Sequence, residues 1–264
     1  MGNRFYEKRG DGILKKTFWK NCITTALAFL ALVCIWGVAY VLVGNELVLP
    51  SFFDCVREMG ELLIKGAFWA SYFSTLLRVL IAFLLSLVLA LVLAFVSYLL
   101  PTFGRFLSPI VSILRSTPTL AVVLILLVWT GAGTAPIVVA VLALFPLLYA
   151  GTLGALAQVD GSLLEMSRVY KVPLRKQVLQ LYLPSVAPYF LREAGAGLSF
   201  GVKLVVSAEV LAMTAKSLGG WLLEAKAYLD MPLLFALVIV GFLTGMILEG
   251  LVSILARAVE RGLK

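Results

Sequence analysis

Lys203 and Glu209 carry charge inside a run of residues that is otherwise written for lipid. A charge at membrane depth is costly, so it must find a counter-charge, face water or line a path for a charged solute. Six residues apart, the two lie about 9 Å apart along a helix and about 240° around it. They cannot neutralise each other on one helix face, and each needs a partner elsewhere. A lysine on a pathway favours an anion, and the glutamate offsets that field. The plainer alternative is a structural ion pair, or a stem that snorkels to the interface. With Glu249 they form no spacing that suggests intramembrane catalysis. The chain contains no histidine, which removes histidine bases, triads and metal ligands. Cys22, Cys34 and Cys55 show neither metal-ligand nor redox spacing. No Gly-x-x-x-x-Gly-Lys-Ser/Thr run is present, so any nucleotide chemistry belongs to another chain.

A second group of polar residues lies between apolar runs, from Asp160 to Pro188. Leu163, Leu164, Ser167 and Tyr170 recur at helical spacing, as do Leu174, Val178, Leu181 and Tyr182. Ser162 is placed to cap a first helix, with Glu165 completing a capping box. Pro173 stands where a second helix would start and pushes Val172 out of the α region. The expected object is two short amphipathic helices broken at Lys171–Pro173. A basic helical hairpin exposed between spans reads as a docking surface for another protein, or as an ordinary amphipathic loop on the membrane surface.

These groups must be positioned by membrane helices. The 264 residues are 62% hydrophobic with a mean hydropathy of +1.04, and the apolar residues come in long runs. About six spans are expected: Cys22–Val43, Leu76–Leu100, Thr119–Trp129, Pro136–Gly154, Leu191–Met213 and Pro232–Ala256. The third is short, so part of Ile110–Leu114 joins it or dips into the membrane. Between the first two, Phe52, Val56, Met59, Leu62 and Leu63 mark an amphipathic helix lying at the outer interface. Ser86, Ala90 and Ala94 form a small-residue face, and Gly197/Gly201 and Gly241/Gly245 are spaced for close helix packing. A Gly219-Gly220 turn precedes a short outer helix, Trp221–Tyr228.

The formal charge is +8. Most Lys and Arg fall in residues 1–20, 101–118, 160–192 and 257–264. By the positive-inside rule this puts both termini and the 155–190 loop in the cytoplasm. It also explains the basicity without nucleic acid. The expected organisation is a basic amino-terminal segment, 1–20, followed by a membrane domain, 21–264.

The 155–190 loop resembles the coupling loop of ATP-binding-cassette (ABC) importer permeases. Glu165-Met166-Ser167 stands where that signature has Glu-Ala-Ala, Lys171 where it has glycine, and Leu181-x-Leu183-Pro184 where it has Ile/Leu-x-Leu-Pro. Further similarity runs through Leu114-Arg-Ser-Thr-Pro-Thr-Leu-Ala, Phe145-Pro146, Ala208-Glu209 and Ser217-Leu218-Gly219. These look like the nitrate, sulfonate, taurine and vitamin-precursor importers, a likeness covering about residues 25–260.

The resemblance implies an all-α type I importer permease in the inner membrane of a prokaryote, paired as a homodimer. It implies docking of a cytoplasmic ATPase dimer through Glu165, Met166, Ser167, Val169, Tyr170, Lys171, Leu181 and Pro184, with an external binding protein delivering solute. ATP and Mg would sit on the ATPase, and this chain would hold no cofactor or metal and would not be an enzyme. The fifth span, with Lys203 and Glu209, would line the pathway. The competing classes are a passive channel or carrier, an intramembrane enzyme and a purely structural membrane subunit. ATP-dependent uptake lost on mutating the loop separates the importer from these.

Overall fold

The computed structural model describes residues 23–24 and 27–262, so the basic segment 1–20 and Cys22 lie outside the described residues. The described chain is helical, with no strand. An apolar helix α1, Leu27–Val43, is followed by α2, Phe52–Ile64, and α3, Gly66–Leu99. Then come α4, Pro101–Ser116, α5, Thr119–Thr130, and α6, Ala135–Leu156. The polar stretch gives α7, Gly161–Val169, and α8, Leu174–Gln177. The chain closes with α9, Leu183–Leu211, α10, Leu218–Ala227, and α11, Met231–Gly262.

Helices α3, α6, α9 and α11 supply four segments long and apolar enough to cross a membrane. The third expected span is built differently. Pro118 lacks an amide donor and holds Thr117 extended (φ −72°, ψ 128°). Thr117 N and Oγ1 both donate to Ile113 O, at 3.0 and 2.6 Å. Helices α4 and α5 therefore meet at 96°, and only together do they amount to a crossing. Counting that pair gives five, and α1 contributes 17 further apolar residues.

The core sits where α3, α6 and α9 pack. Ser86, Ala90 and Ala94 are fully buried on α3, which lets α6 approach closely. A Cβ on Gly197 would stand 3.1 Å from Leu148 Cδ2, and one on Gly201 3.3 Å from Leu144 Cδ1, so these glycines set the α9–α6 distance. The pair on α11 differs. Gly245 lies against Ser199, with a Cβ 3.0 Å from its Oγ, while Gly241 has open space. One close contact replaces the expected two.

Two boundaries and one helix face correct the sequence expectation. Helix α3 begins at Gly66, ten residues before Leu76, because its first turns pack against α2 and α10 rather than lipid. Helix α2 buries Cys55 and Leu62, while Val56 and Leu63 are exposed, so its inward face is turned from the one expected. Helix α10 starts at Leu218, which puts Gly219 and Gly220 inside its first turn.

Candidate docking surface and membrane-embedded charges

Helix α7 is capped by Asp160, not Ser162. The Asp160 carboxylate accepts the Ser162 amide at 2.9 Å, and that hydrogen bonding holds its pKa below the usual 3.8. The helix ends in a Schellman motif. Val172 N donates to Ser167 O at 2.9 Å and Lys171 N to Arg168 O at 3.1 Å. Lys171 occupies the left-handed position, φ 49°. The break is thus made by Lys171 itself, where the coupling signature has glycine, and Pro173 then caps α8. Gln177 Nε2 donates to Val172 O at 2.7 Å and ties α8 to the turn.

The second short helix is not separate. Helix α8 runs through a π-helical turn, Val178–Tyr182, directly into α9. Pro184 lacks an amide proton to continue the α pattern, and Leu183 N reaches back five residues to Val178 O. Tyr182 is buried beside Val159 and Val186, with Leu164 and Leu181 packed on the same cluster. Leu164 therefore serves the core. Ser167 is buried, donating to Leu164 O at 2.8 Å. Glu165, Met166, Val169 and Tyr170 are exposed. Val169 and Tyr170 expose 77% and 76% of their surface.

The intramembrane charges have different surroundings. Lys203 is exposed on an α9 face with Glu193, Ala196, Phe200 and Ser207. Spaced three and four residues apart, these positions form one stripe. Glu249 is also exposed. Glu209 is fully buried. Its carboxylate accepts Arg78 Nη1 at 2.9 Å, Thr75 Oγ1 at 2.9 and 3.0 Å, and the Gly219 amide at 3.2 Å. Arg78 and Thr75 belong to α3, and the sequence offered no sign of this pairing beyond an arginine near the outer edge of a span. Thr75 Oγ1 also accepts the Leu218 amide at 2.9 Å, and Ser217 Oγ accepts Gly220 N at 2.9 Å. The first three amides of α10 are thus each closed by a side chain, and a carboxylate stands at the positive end of the helix. A Cβ on Gly219 would collide with Glu209 Cβ. Ala208-Glu209 and Ser217-Leu218-Gly219, distant in sequence, are two halves of one buried joint.

A bundle of apolar helices with a short, exposed amphipathic helix between two spans has the layout of a transporter's membrane subunit. Residues 86–264 match the family described as binding-protein-dependent transport system inner membrane component. The chain belongs to this family. It is similar to the putative aliphatic sulfonates transport permease protein SsuC of Bacillus subtilis (strain 168), 26% identical over 231 residues, covering 86% of this chain and 82% of that one. It is also similar to the taurine transport system permease protein TauC of Escherichia coli (strain K12), 24% identical over 238 residues, covering 86% and 85%. The inward-facing MetNI methionine ABC transporter shares the fold, with a TM-score of 0.62 at 20% identity over 76% of this chain and 97% of that one.

The permease is therefore a multi-pass membrane transport subunit of an ABC importer, not an enzyme. Membership of the family implies an ATPase and a binding protein as partners. Among the described residues, no three His, Cys, Asp or Glu side chains gather as a metal site.

Proposed function

We propose that this permease imports a small anionic solute of the sulfonate class, as a homodimer in which each α7 docks on one cytoplasmic ATPase chain. The observation that carries the docking assignment is the exposed group Glu165, Met166, Val169 and Tyr170 on a helix held at both ends by a cap and a Schellman turn. Apolar and aromatic side chains ringed by polar ones are what a partner groove takes up. The Lys and Arg distribution supports placing α7 and both termini in the cytoplasm. ATP and Mg then belong to the ATPase, and closure of its two chains draws the two α7 helices together. The bundles rock as rigid bodies in response.

The similarity to an aliphatic sulfonates permease and a taurine permease supports a sulfonate-type solute, delivered from outside by a binding protein. The exposed α9 stripe suits the second permease copy and the pathway between the copies, with Lys203 supplying positive charge. The donors around Glu209 are all protein groups, so Glu209 is read as part of the scaffold. The test is reconstitution with the ATPase and binding protein, following ATP hydrolysis together with uptake of taurine and short alkanesulfonates. Wild-type protein takes up a sulfonate, and Lys203→Met slows uptake while the complex still assembles. Wild-type uptake by Lys203→Met would remove the pathway role of Lys203. Uptake of neutral solutes alone would remove the anionic class.

A further inference from the structure

At the end of the bundle that carries α7, α4 packs back against the last turns of α3 and α6. A Cβ on Gly104 would lie 3.2 Å from Ser97 O, so the two helix ends are in close contact. Beside this contact is an open cleft of about 580 Å³. Arg105, Ser108, Ser112 and Arg115 line its α4 side. Their spacing of three, four and three residues puts them within about 80° of one another around the helix. The opposite wall is Ser97, Tyr149, Ala150 and Leu153. Tyr149 donates its hydroxyl proton to Ser97 Oγ at 2.9 Å, leaving the Ser97 proton for an acceptor in the cleft.

The lining contains no carboxylate. Among the described residues, Arg105 and Arg115 form neither an ion pair nor a hydrogen bond with the protein. Two guanidiniums, about 15 Å apart along α4 at the backbone, and three hydroxyls thus line one open cleft that offers them no carboxylate. Guanidinium forks match the oxygen spacing of sulfonate and phosphate groups and bind them with paired hydrogen bonds. The volume exceeds that of a bare oxyanion, so a group carrying an organic tail also fits.

We propose that this cleft binds a tetrahedral oxyanion group, either the sulfonate of a solute or the phosphate of a phospholipid headgroup. Lys203 takes no part in it. The choice of source bears on the transport reading, but the binding does not depend on it and is measured without ATPase or binding protein.

The chain is placed in phosphatidylcholine nanodiscs and titrated calorimetrically with sulfate and methanesulfonate at low salt. In parallel, native mass spectrometry follows retention of phosphatidylglycerol from mixed discs. Wild-type protein binds a free oxyanion or retains phosphatidylglycerol selectively. Arg105→Gln and Arg115→Gln each weaken that binding by about tenfold, and the double substitution weakens it further. The paired Arg105→Lys/Arg115→Lys variant keeps the charge but not the forks and lies between. Arg175→Gln on α8 leaves binding unchanged. Binding of sulfate and methanesulfonate points to a solute, and retention of phosphatidylglycerol alone points to a headgroup. The proposal is overturned if wild-type protein does neither, if the glutamine variants bind as well as wild type, or if Arg175→Gln weakens binding equally. Should the double glutamine variant fail to fold, the single and lysine variants decide.

Discussion

The bundle carries a short helix at each end, α7 and α10, and the two stop alike. Each ends in a Schellman turn with a side-chain-bearing residue in the left-handed position: Lys171 at φ 49° after α7 and Leu229 at φ 56° after α10. They differ in how they are held. The first amides of α10 are received by Thr75, Glu209 and Ser217, and its apolar residues Leu218 and Ala225 are buried against α2, α3 and α11. Helix α7 is capped only by its neighbour Asp160 and shows Met166, Val169 and Tyr170 to the outside. The first turn of one short helix is closed by the rest of the chain, while the other keeps its apolar face open; both leave a tyrosine exposed at the far end, Tyr228 at 79% and Tyr170 at 76%. Damage to α10 should therefore appear as lost stability, and damage to α7 as lost coupling in a stable protein.

The largest effect is expected at the α10 joint. Arg78→Leu leaves the Glu209 carboxylate buried without its counter-charge and should cost about 3–5 kcal/mol, read as a lowered unfolding midpoint in detergent. Removing both charges in Arg78→Leu/Glu209→Leu should recover part of that loss, while the Gly219 amide and Thr75 hydroxyl stay without their acceptor. Equal stability of Arg78→Leu and wild type would end the contrast between the two helices.

Next comes α7. Glu165→Lys should leave the unfolding midpoint unchanged and abolish uptake while the ATPase continues to turn over. Tyr170→Ala should weaken ATPase binding by at least about tenfold, as for an aromatic anchor in an interface. A large stability loss in either variant would show α7 to be as internal as α10. Normal uptake in Glu165→Lys would remove the coupling role.

Smaller effects sharpen the comparison at the two helix ends. Lys171→Gly and Leu229→Gly each relieve a left-handed side-chain residue and should gain about 1 kcal/mol. Lys171→Gly should also transport normally, and a severe transport defect there would assign the lysine charge a contact of its own. The smallest effect concerns pH. The Asp160 pKa is lowered by its hydrogen bonds to Ser162, so the cap is present above 3.8 and is lost as pH falls through the lower folded value. Amide exchange in the first turn of α7 should accelerate there. Constant exchange in α7 across that range would show that the ionised cap adds nothing.

The sequence made the spans and the polar 160–188 stretch readable, because hydropathy and helical spacing are local signals. It also required partners for Lys203 and Glu209, since six residues on a helix separate their faces. It could not supply those partners. Arg78 lies in another helix, and only packing of α3 against α9 brings its guanidinium to Glu209. Ser162 with Glu165 satisfied the capping-box pattern, yet Asp160 competed successfully because its carboxylate reaches the Ser162 amide. The bend at Thr117–Pro118 was marked by the proline, but its angle depends on what α4 packs against. The π turn followed the same rule: Pro184 announced a missing donor, and the fold chose to accommodate it without ending the helix.

Helix α3 has 34 residues, about 51 Å of rise, against a hydrocarbon layer of about 30 Å. The excess is clothed in protein at its first turns. Phe68 is buried among Leu62, Leu218 and Ala225, and Ser71 accepts the Trp221 indole proton at 3.0 Å. The helix thus works as a mast whose top is fastened to α2 and α10. The height of that deck above the lipid is set by peptide geometry. In a thinner or thicker bilayer, lipid must deform or the mast must lean, and the deck moves with it as one piece.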